Sequence, residues 1–217
     1  MDYDQEMNSA AGNMPIGIMA DSHGNNELLL RAIATLKSMG AGSLIHLGDM
    51  CDSLSPHLIE ETLAIMKKHG VEGVWGNNEC TMIQDCRTAH HENGSPDVIG
   101  LLDELPYTIR SGSLLFTHSI PMDHPVATKR PISEFMNLVM RDGDIPFSLL
   151  FRGHFHKPSI LEIGEGSVKK IPAATGREIP LERNGQYVIT VGAIENASCA
   201  LFLPEGYSIR FIAIPKS

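Results

Sequence analysis

Five short apolar runs in this 217-residue chain each stop at residues able to bind a metal or move a proton. Pro15–Ala20 leads into Asp21-Ser22-His23, Ser43–Leu47 into Gly48-Asp49-Met50-Cys51-Asp52, and Val71–Trp75 into Gly76-Asn77-Asn78-Glu79. Leu114–Thr117 is followed by His118, and Ser148–Phe151 by Arg152-Gly153-His154-Phe155-His156. Amphipathic segments separate the first three runs. Leu29, Ile33 and Leu36 recur at helical spacing behind the N-cap candidates Asn25 and Asn26, with Gly40 placed to end that helix. Ser55-Pro56 reads as N-cap and first residue of a second helix. Its apolar face is Ile59, Leu63 and Met66, with Lys67 and Lys68 in the last turn and Gly70 as terminator. A strand–helix–strand–helix–strand rhythm calls for parallel strands joined by right-handed crossovers. In open α/β sheets the ligand crevice lies outside the carboxyl ends of the strands. The five polar clusters should therefore meet at one edge.

The remainder is less periodic. Residues 1–13 read as a mobile tail, and 14–217 as one domain. Met82–Ser95 has no clear period and reads as a loop. Ser95-Pro96 opens a helix with Val98, Leu101, Leu102 and Leu105, and Ile132, Phe135, Met136 and Val139 mark another. From Ser159 onward the segments are short and strand-like, including Val168–Pro172, Tyr187–Val191, Ala197–Leu203 and Ser208–Ile214. No linker separates the α/β part from this β-rich end. No apolar run approaches the roughly 18 residues of a membrane span, and the acidic N-terminus lacks a signal-peptide core. Four cysteines (Cys51, Cys80, Cys86, Cys199) are too few for a disulfide framework, so reduced thiols in the cytoplasm are expected. A net charge of −9 without a long Lys/Arg block argues against a nucleic-acid clamp. It leaves room for a small phosphorylated substrate, because bound cations reverse the local sign. Ten histidines in such a chain point the same way.

Taken in order, D-x-H, G-D-x-x-D, G-N-x-E, H and G-H-x-H between Asp21 and His156 resemble the calcineurin-like metallophosphoesterase superfamily. The small bacterial and archaeal phosphodiesterases of that superfamily match best in length. The resemblance covers nearly everything after the tail. It implies a four-layer α/β/β/α sandwich of two mixed β-sheets flanked by helices, with two divalent metals at the sheet edge. By the resemblance, Asp21, His23 and His156 hold one metal, Asn77, His118 and His154 hold the other, and Asp49 bridges them. Such a mixed N/O set without thiolate suits Mn first, with Fe, Zn, Co or Ni as alternatives, and four imidazoles disfavour Mg. Two cations about 3.5–4 Å apart acidify a bridging water and neutralise phosphoryl oxygens, so the implied reaction is in-line attack of a bridging hydroxide on phosphorus.

Two departures narrow the branch. Many relatives carry histidine after the G-N of the third motif, where it is thought to protonate the leaving group. Asn78 stands there, and an amide is no general acid near neutral pH; the small phosphodiesterases also lack that histidine. Asp52 is followed by Ser53-Leu54 rather than the Arg-Gly of protein serine/threonine phosphatases, which argues against a protein phosphatase. The catalytic positions are thus Asp49, Asn77 and the acid-less Asn78, with Asn78 and Arg152 as substrate contacts. An arginine at a strand end is, however, more often a solvated ion-pair partner.

Other residues carry two readings each. His46 is either a partner that orients a metal ligand or a hydrogen-bonded histidine inside the sheet. Asp52 and Glu79 are structural, bonding backbone or a ligand histidine. Cys80, Cys86, His90 and His91 form either a zinc site or an ordinary loop, and His90 or His91 is the alternative source of the missing proton. Cys51 is a redox liability or a buried inert thiol. The leading function is a dinuclear-metal-dependent phosphodiesterase. Its rivals are a protein-interaction scaffold of the same fold, like the retromer subunit, and a phosphomonoesterase or nucleotidase with the same centre. An exposed β-edge in the last third leaves room for pairing of two copies.

Overall fold

The computed structural model describes residues 4–6, 13–52, 56–88, 100, 102–119, 147–164 and 167–215. A short strand, β1 (Asp4–Glu6), lies inside the segment expected as a tail. The expected alternation follows in β2 (Ile16–Met19), α1 (Asn26–Ser38), β3 (Ser43–His46), α2 (Ile59–His69) and β4 (Val71–Gly73). The Asn25 side chain accepts the Leu28 N–H at 3.1 Å, and α1 turns Leu29, Ala32, Ile33 and Leu36 inward. The second helix differs from expectation at its start. Pro56–Leu58 forms a 3-10 turn and Leu58, which offers no side-chain cap, precedes α2. Gly70 ends α2 in the left-handed conformation at φ 67°.

One loop is corrected to a helix. α3 spans Asn77–Thr88, so the first half of the segment read as a loop from Met82 is helical. Its period is hidden because its first turn is committed to polar contacts: Glu79 is fully buried against neighbouring backbone. Among its described side chains, Met82 and Ile83 join Trp75 and Leu102 in the apolar cluster beneath, and Cys80 packs against it. Of the helix expected from Ser95-Pro96, Gly100, Leu102 and Asp103 are helical and the rest lies outside the described residues. The helix expected over Ile132–Val139 lies outside them as well.

The other strands are β5 (Thr108–Ser111), β6 (Leu114–Thr117), β7 (Leu149–Arg152), β8 (Ser159–Gly164), β9 (Ser167–Ile171), β10 (Glu178–Pro180), β11 (Gln186–Thr190), β12 (Ser198–Leu203) and β13 (Ser208–Ala213). They form two mixed sheets, one ordered β1-β5-β6-β7-β11-β8-β9 and the other β10-β13-β12-β2-β3-β4. The β-rich end is therefore no separate layer. β11 inserts between β7 and β8, parallel to β7 with Tyr187 opposite Leu149, while β12 pairs antiparallel with β2.

The sheets pack face to face on Ile18, Ile45, Phe116, Phe151, Ile189, Phe202 and Phe211. Phe151 stacks on Phe116 in its own sheet at 5.1 Å between centroids and meets Phe202 of the facing sheet at 5.5 Å. Each such buried side chain contributes about 1.5–3 kcal/mol relative to exposure, which fixes strand register along this face. A second cluster under α1, α2 and α3 covers the outside of the six-stranded sheet. Leu115, Leu150, Leu161 and Val188 are buried on the outer face of the other sheet. The described residues thus form two facing mixed sheets with helices outside the six-stranded one, an α/β architecture that agrees with the expected sandwich. Among the described residues no helix is long and apolar enough to cross a membrane.

Candidate metal centre

β2, β3 and β4 run parallel side by side, as do β6 and β7 in the facing sheet, so the five motif loops open on one edge. Backbone hydrogen bonds lace the first two loops: Asp21 N–H to Gly48 O at 3.0 Å, His23 N–H to Asp49 O at 3.1 Å and Gly24 N–H to Met50 O at 2.9 Å. The second and third loops touch so closely that a Cβ on Gly48 would lie 2.5 Å from the Gly76 nitrogen, and one on Gly76 would overlap the Asp49 nitrogen. Only glycine fits at either position. The Glu79 carboxylate closes this junction, accepting the N–H groups of Gly76 (2.8 Å), Asp49 (2.9 Å) and Met50 (2.8 Å). Its structural role is thus to bind backbone.

Seven non-glycine residues have positive φ among those described, and five are Asp21 (54°), His23 (46°), Asp49 (53°), His154 (68°) and His156 (55°). The left-handed region costs an L-residue about 1–2 kcal/mol. These turns decide where the rings go. His154 and His156 are two apart, yet they leave β7 for different clusters. Asp21, His23 and His156 bring their donor atoms within 4.8 Å of one another, and so do Asp49, His118 and His154. The rings of His23 and His156 lie 5.3 Å apart, and those of His118 and His154 5.2 Å apart. Asn77 adds its carboxamide oxygen 3.0 Å from both His118 Nε2 and His154 Nδ1.

The hydrogen bonds also assign tautomers. His118 Nδ1 donates to Leu47 O at 2.6 Å, which leaves the Nε2 lone pair facing Asp49 Oδ2 at 3.4 Å and Asn77. His156 Nδ1 meets Glu195 Oε1 at 2.7 Å, and its Nε2 faces Asp21 at 3.6 Å. Buried His23 Nε2 and His154 Nε2 have no hydrogen-bond partner among the described residues. Converging lone pairs and orphaned ring nitrogens are what a cation satisfies, so this donor set fits two divalent ions. With no cation on them these ring nitrogens are acceptors, and the opposite orientation of the Asn77 amide is favoured, donating to His154 Nδ1 and His118 Nε2 at 3.0 Å and Asp49 Oδ2 at 3.3 Å.

Charge is concentrated here away from water. Burial pushes the Asp21 carboxyl up to about 8. Burial, helped by the positive charge of His118, holds His154 down to about 4. For His118 burial opposes the charged ring, but the Asp49 and Asp21 carboxylates prevail and lift it to about 9. Burial likewise opposes the Asp49 carboxylate, and here His118 and the Asn78 N–H at 2.9 Å prevail, keeping it below its usual range.

The remaining expected residues are placed as follows. Asn78 sits 3.2 Å from His23 Nδ1 and lines the pocket. Arg152 is not on the pocket wall: it is buried, donates from Nε to Thr190 Oγ1 at 3.1 Å, and lies 4.3 Å behind the Phe155 ring. His46 is the hydrogen-bonded histidine inside the sheet, with Nε2 3.1 Å from Ser22 Oγ. Cys51 is buried against Met82, and burial pushes its thiol up to about 12. Asp52 is half-buried. Cys80 is partly buried, while the Cys86 side chain, His90 and His91 lie outside the described residues. Sequence reasoning missed Glu195 and the half-exposed Phe155 at the rim. Phe155 could have been flagged as an apolar residue between two ligand candidates, whereas Glu195 carries no local signal.

The family model for the calcineurin-like phosphoesterase superfamily domain matches residues 14–196. The chain belongs to that superfamily. As a calcineurin-like phosphoesterase it falls in a divalent-metal-dependent family, in keeping with its two donor clusters. A metallophosphoesterase from Sphaerobacter thermophilus aligns at 21% identity and a TM-score of 0.75, over 94% of this chain and 88% of its own. A protein provisionally described as a diadenosine tetraphosphatase aligns at 14% identity over 99% of both chains, with a TM-score of 0.56. A Thermus thermophilus protein aligns at 9% identity over 94% of this chain and 100% of its own, with a TM-score of 0.53. At these identities the likeness is one of fold. No curated protein sequence matches the chain.

Two measurements check the strain and the charge. At an ordinary position alanine is more stable than glycine by about 0.5–1 kcal/mol. At His23, with φ 46°, the order should invert, so that metal-free His23→Gly unfolds at higher denaturant than His23→Ala. The charge is read in the pH dependence of stability. Asp21 (3.8 to about 8), Glu79 (4.5 to about 7, through burial and Asp49) and His118 (6.5 to about 9) are all raised on folding. Each therefore contributes stability at low pH that is lost as pH rises through its folded value. His46 and His154, lowered by burial to about 3 and 4, act oppositely but only below their ordinary 6.5. The melting temperature of chelator-treated protein should thus fall between pH 6.5 and 9, and saturating Mn²⁺ should flatten that fall.

Proposed function

We propose that this calcineurin-like phosphoesterase is a dinuclear-metal-dependent phosphodiesterase acting on a small substrate. The observation that carries the reading is the pair of donor clusters, Asp21/His23/His156 and Asp49/His118/His154, at one strand edge beside an open pocket of about 530 Å³. Asp21, His23 and His156 would hold one ion and Asn77, His118 and His154 the other, with Asp49 bridging. Mn is favoured by this mixed N/O set, with Fe, Zn, Co or Ni as alternatives. Two such cations supply Lewis acidity, activating water and neutralising phosphoryl charge.

The chain's own residues hold and orient. The Asn78 N–H fixes Asp49 Oδ1 at 2.9 Å, and Leu47 O fixes the His118 ring through Nδ1. Phe155 gives the pocket an apolar wall beside His154 and His156, suited to an ester substituent rather than to a further charged group. The Asn78 amide lines the pocket but offers no proton at neutral pH. Left-handed backbone at five donor residues is strain without structural return, which favours an enzyme over a scaffold of the same fold. The free thiols of Cys51, Cys80 and Cys199 support a reducing, cytoplasmic setting.

Turnover of Mn²⁺-loaded protein on bis(p-nitrophenyl) phosphate and p-nitrophenyl phosphate tests the reading. The diester should show the higher kcat/KM. Losing an outer partner of a metal ligand already costs about 10–100-fold, so Asp49→Asn should lose more than about 10²-fold. Preference for the monoester would make the protein a phosphomonoesterase, and absence of turnover with either ester would favour the scaffold.

The missing acid gives a separate prediction. General acid catalysis is worth about 10²–10⁴-fold, and only poor leaving groups depend on it. Rates across aryl and alkyl phosphodiesters should fall steeply as leaving-group pKa rises, and Asn78→His should flatten that slope at unchanged metal content. A shallow slope in the wild type would mean that another residue already donates the proton.

A further inference from the structure

Glu195 stands on a 3-10 turn, Ile194–Asn196, between β11 and β12, far in sequence from the first motif. The turn is nonetheless pinned to that motif: Ile194 N–H donates to Ala20 O at 2.8 Å and Glu195 N–H to Asp21 O at 3.2 Å. From there the Glu195 carboxylate reaches His156 Nδ1 at 2.7 Å. We infer that Glu195 is a positioning residue for the Asp21/His23/His156 cluster, acting through the His156 ring. This rests on the reading of that cluster as a metal position.

A carboxylate on Nδ1 holds the proton there and keeps the Nε2 lone pair turned toward Asp21, 3.6 Å away. The ring needs such a partner. His156 is on a left-handed residue (φ 55°) outside any strand, and its side chain is 35% exposed, so burial does not lock it. The pair is not a stability device, because Glu195 is itself 38% exposed and ion pairs in water contribute little to folding. The other cluster is built differently. His118, 1% exposed, is held at Nδ1 by the neutral carbonyl of Leu47, and its burial restricts it further. Glu195 therefore acts on one position of the two. It strengthens His156 as a donor there, both by fixing the tautomer and by placing a negative charge behind the ring.

The test uses the full chain stripped of metal, titrated calorimetrically with Mn²⁺, as wild type, Glu195→Gln and Glu195→Ala. Wild type should take up two ions. Glu195→Ala should weaken one binding step by about 10–100-fold and leave the other within about 2-fold, with Glu195→Gln, which keeps an acceptor but not the charge, between the two. Long-range ¹H–¹⁵N spectra of the metal-free proteins read the ring directly. His156 should be the Nδ1–H tautomer in wild type and shift toward Nε2–H in Glu195→Ala, at unchanged melting temperature. Two ions bound by wild type with both steps unchanged in Glu195→Ala, both steps weakened alike, or an unchanged tautomer would each overturn the role of Glu195 alone. A wild type that binds no Mn²⁺ would overturn the metal reading and this inference together.

Discussion

The buried carboxylate of Glu79 is the contact on which the rest of the edge depends. It gathers the N–H groups of Gly76, Asp49 and Met50, which belong to loops following two different strands, and holds them at 2.8–2.9 Å. With those loops fixed, Asp49 is forced into its left-handed turn and its side chain meets the Asn78 N–H. A neutral side chain at Glu79 would leave buried backbone donors unsatisfied, each at a cost of about 1–3 kcal/mol. The glycines at 48 and 76 serve the same junction by letting the two backbones meet without a Cβ between them.

Strain at the edge is large on the scale of the whole molecule. Five donor residues in the left-handed region at about 1–2 kcal/mol each approach the net stability of a typical domain, about 5–15 kcal/mol. The offset comes from elsewhere. Two sheets close on a shared aromatic and aliphatic core, and α1 and α2 cover the outside of one of them. The core keeps the strand ends rigid enough for their loops to be bent. This division explains why the β-rich end of the chain is threaded into both sheets: β11, β12 and β13 widen the platform and deliver Glu195 to its edge.

The two clusters are unequal in what surrounds them. One contains Asp21, raised in pKa by burial, and has Glu195 behind His156 at the solvent boundary. In the other, His118 is buried and anchored to backbone, with Asn77 between two rings. Arg152 does not balance this charge from the pocket wall. It lies beneath Phe155, where it supports the ring that faces the pocket.

What the sequence determined by itself was the part written in local periodicity and local caps. The strands β2, β3, β4, β6 and β7, the body of α1 and α2, and the polar residues at each strand end follow from short windows, because a strand buried on both faces reads as a continuous apolar run and a helix buried on one face as a period of 3.6. The tertiary structure decided whatever depends on contacts between distant segments. It made Met82–Thr88 helical, since Glu79 answers to a loop some 30 residues earlier. It sent His154 and His156 to different clusters, since both φ values are positive and a strand's alternation no longer applies. It drew Arg152 behind Phe155 and brought Glu195 to His156. A carboxylate in a loop has no periodic signature, and its function is set only by which ring nitrogen the folded chain places beside it.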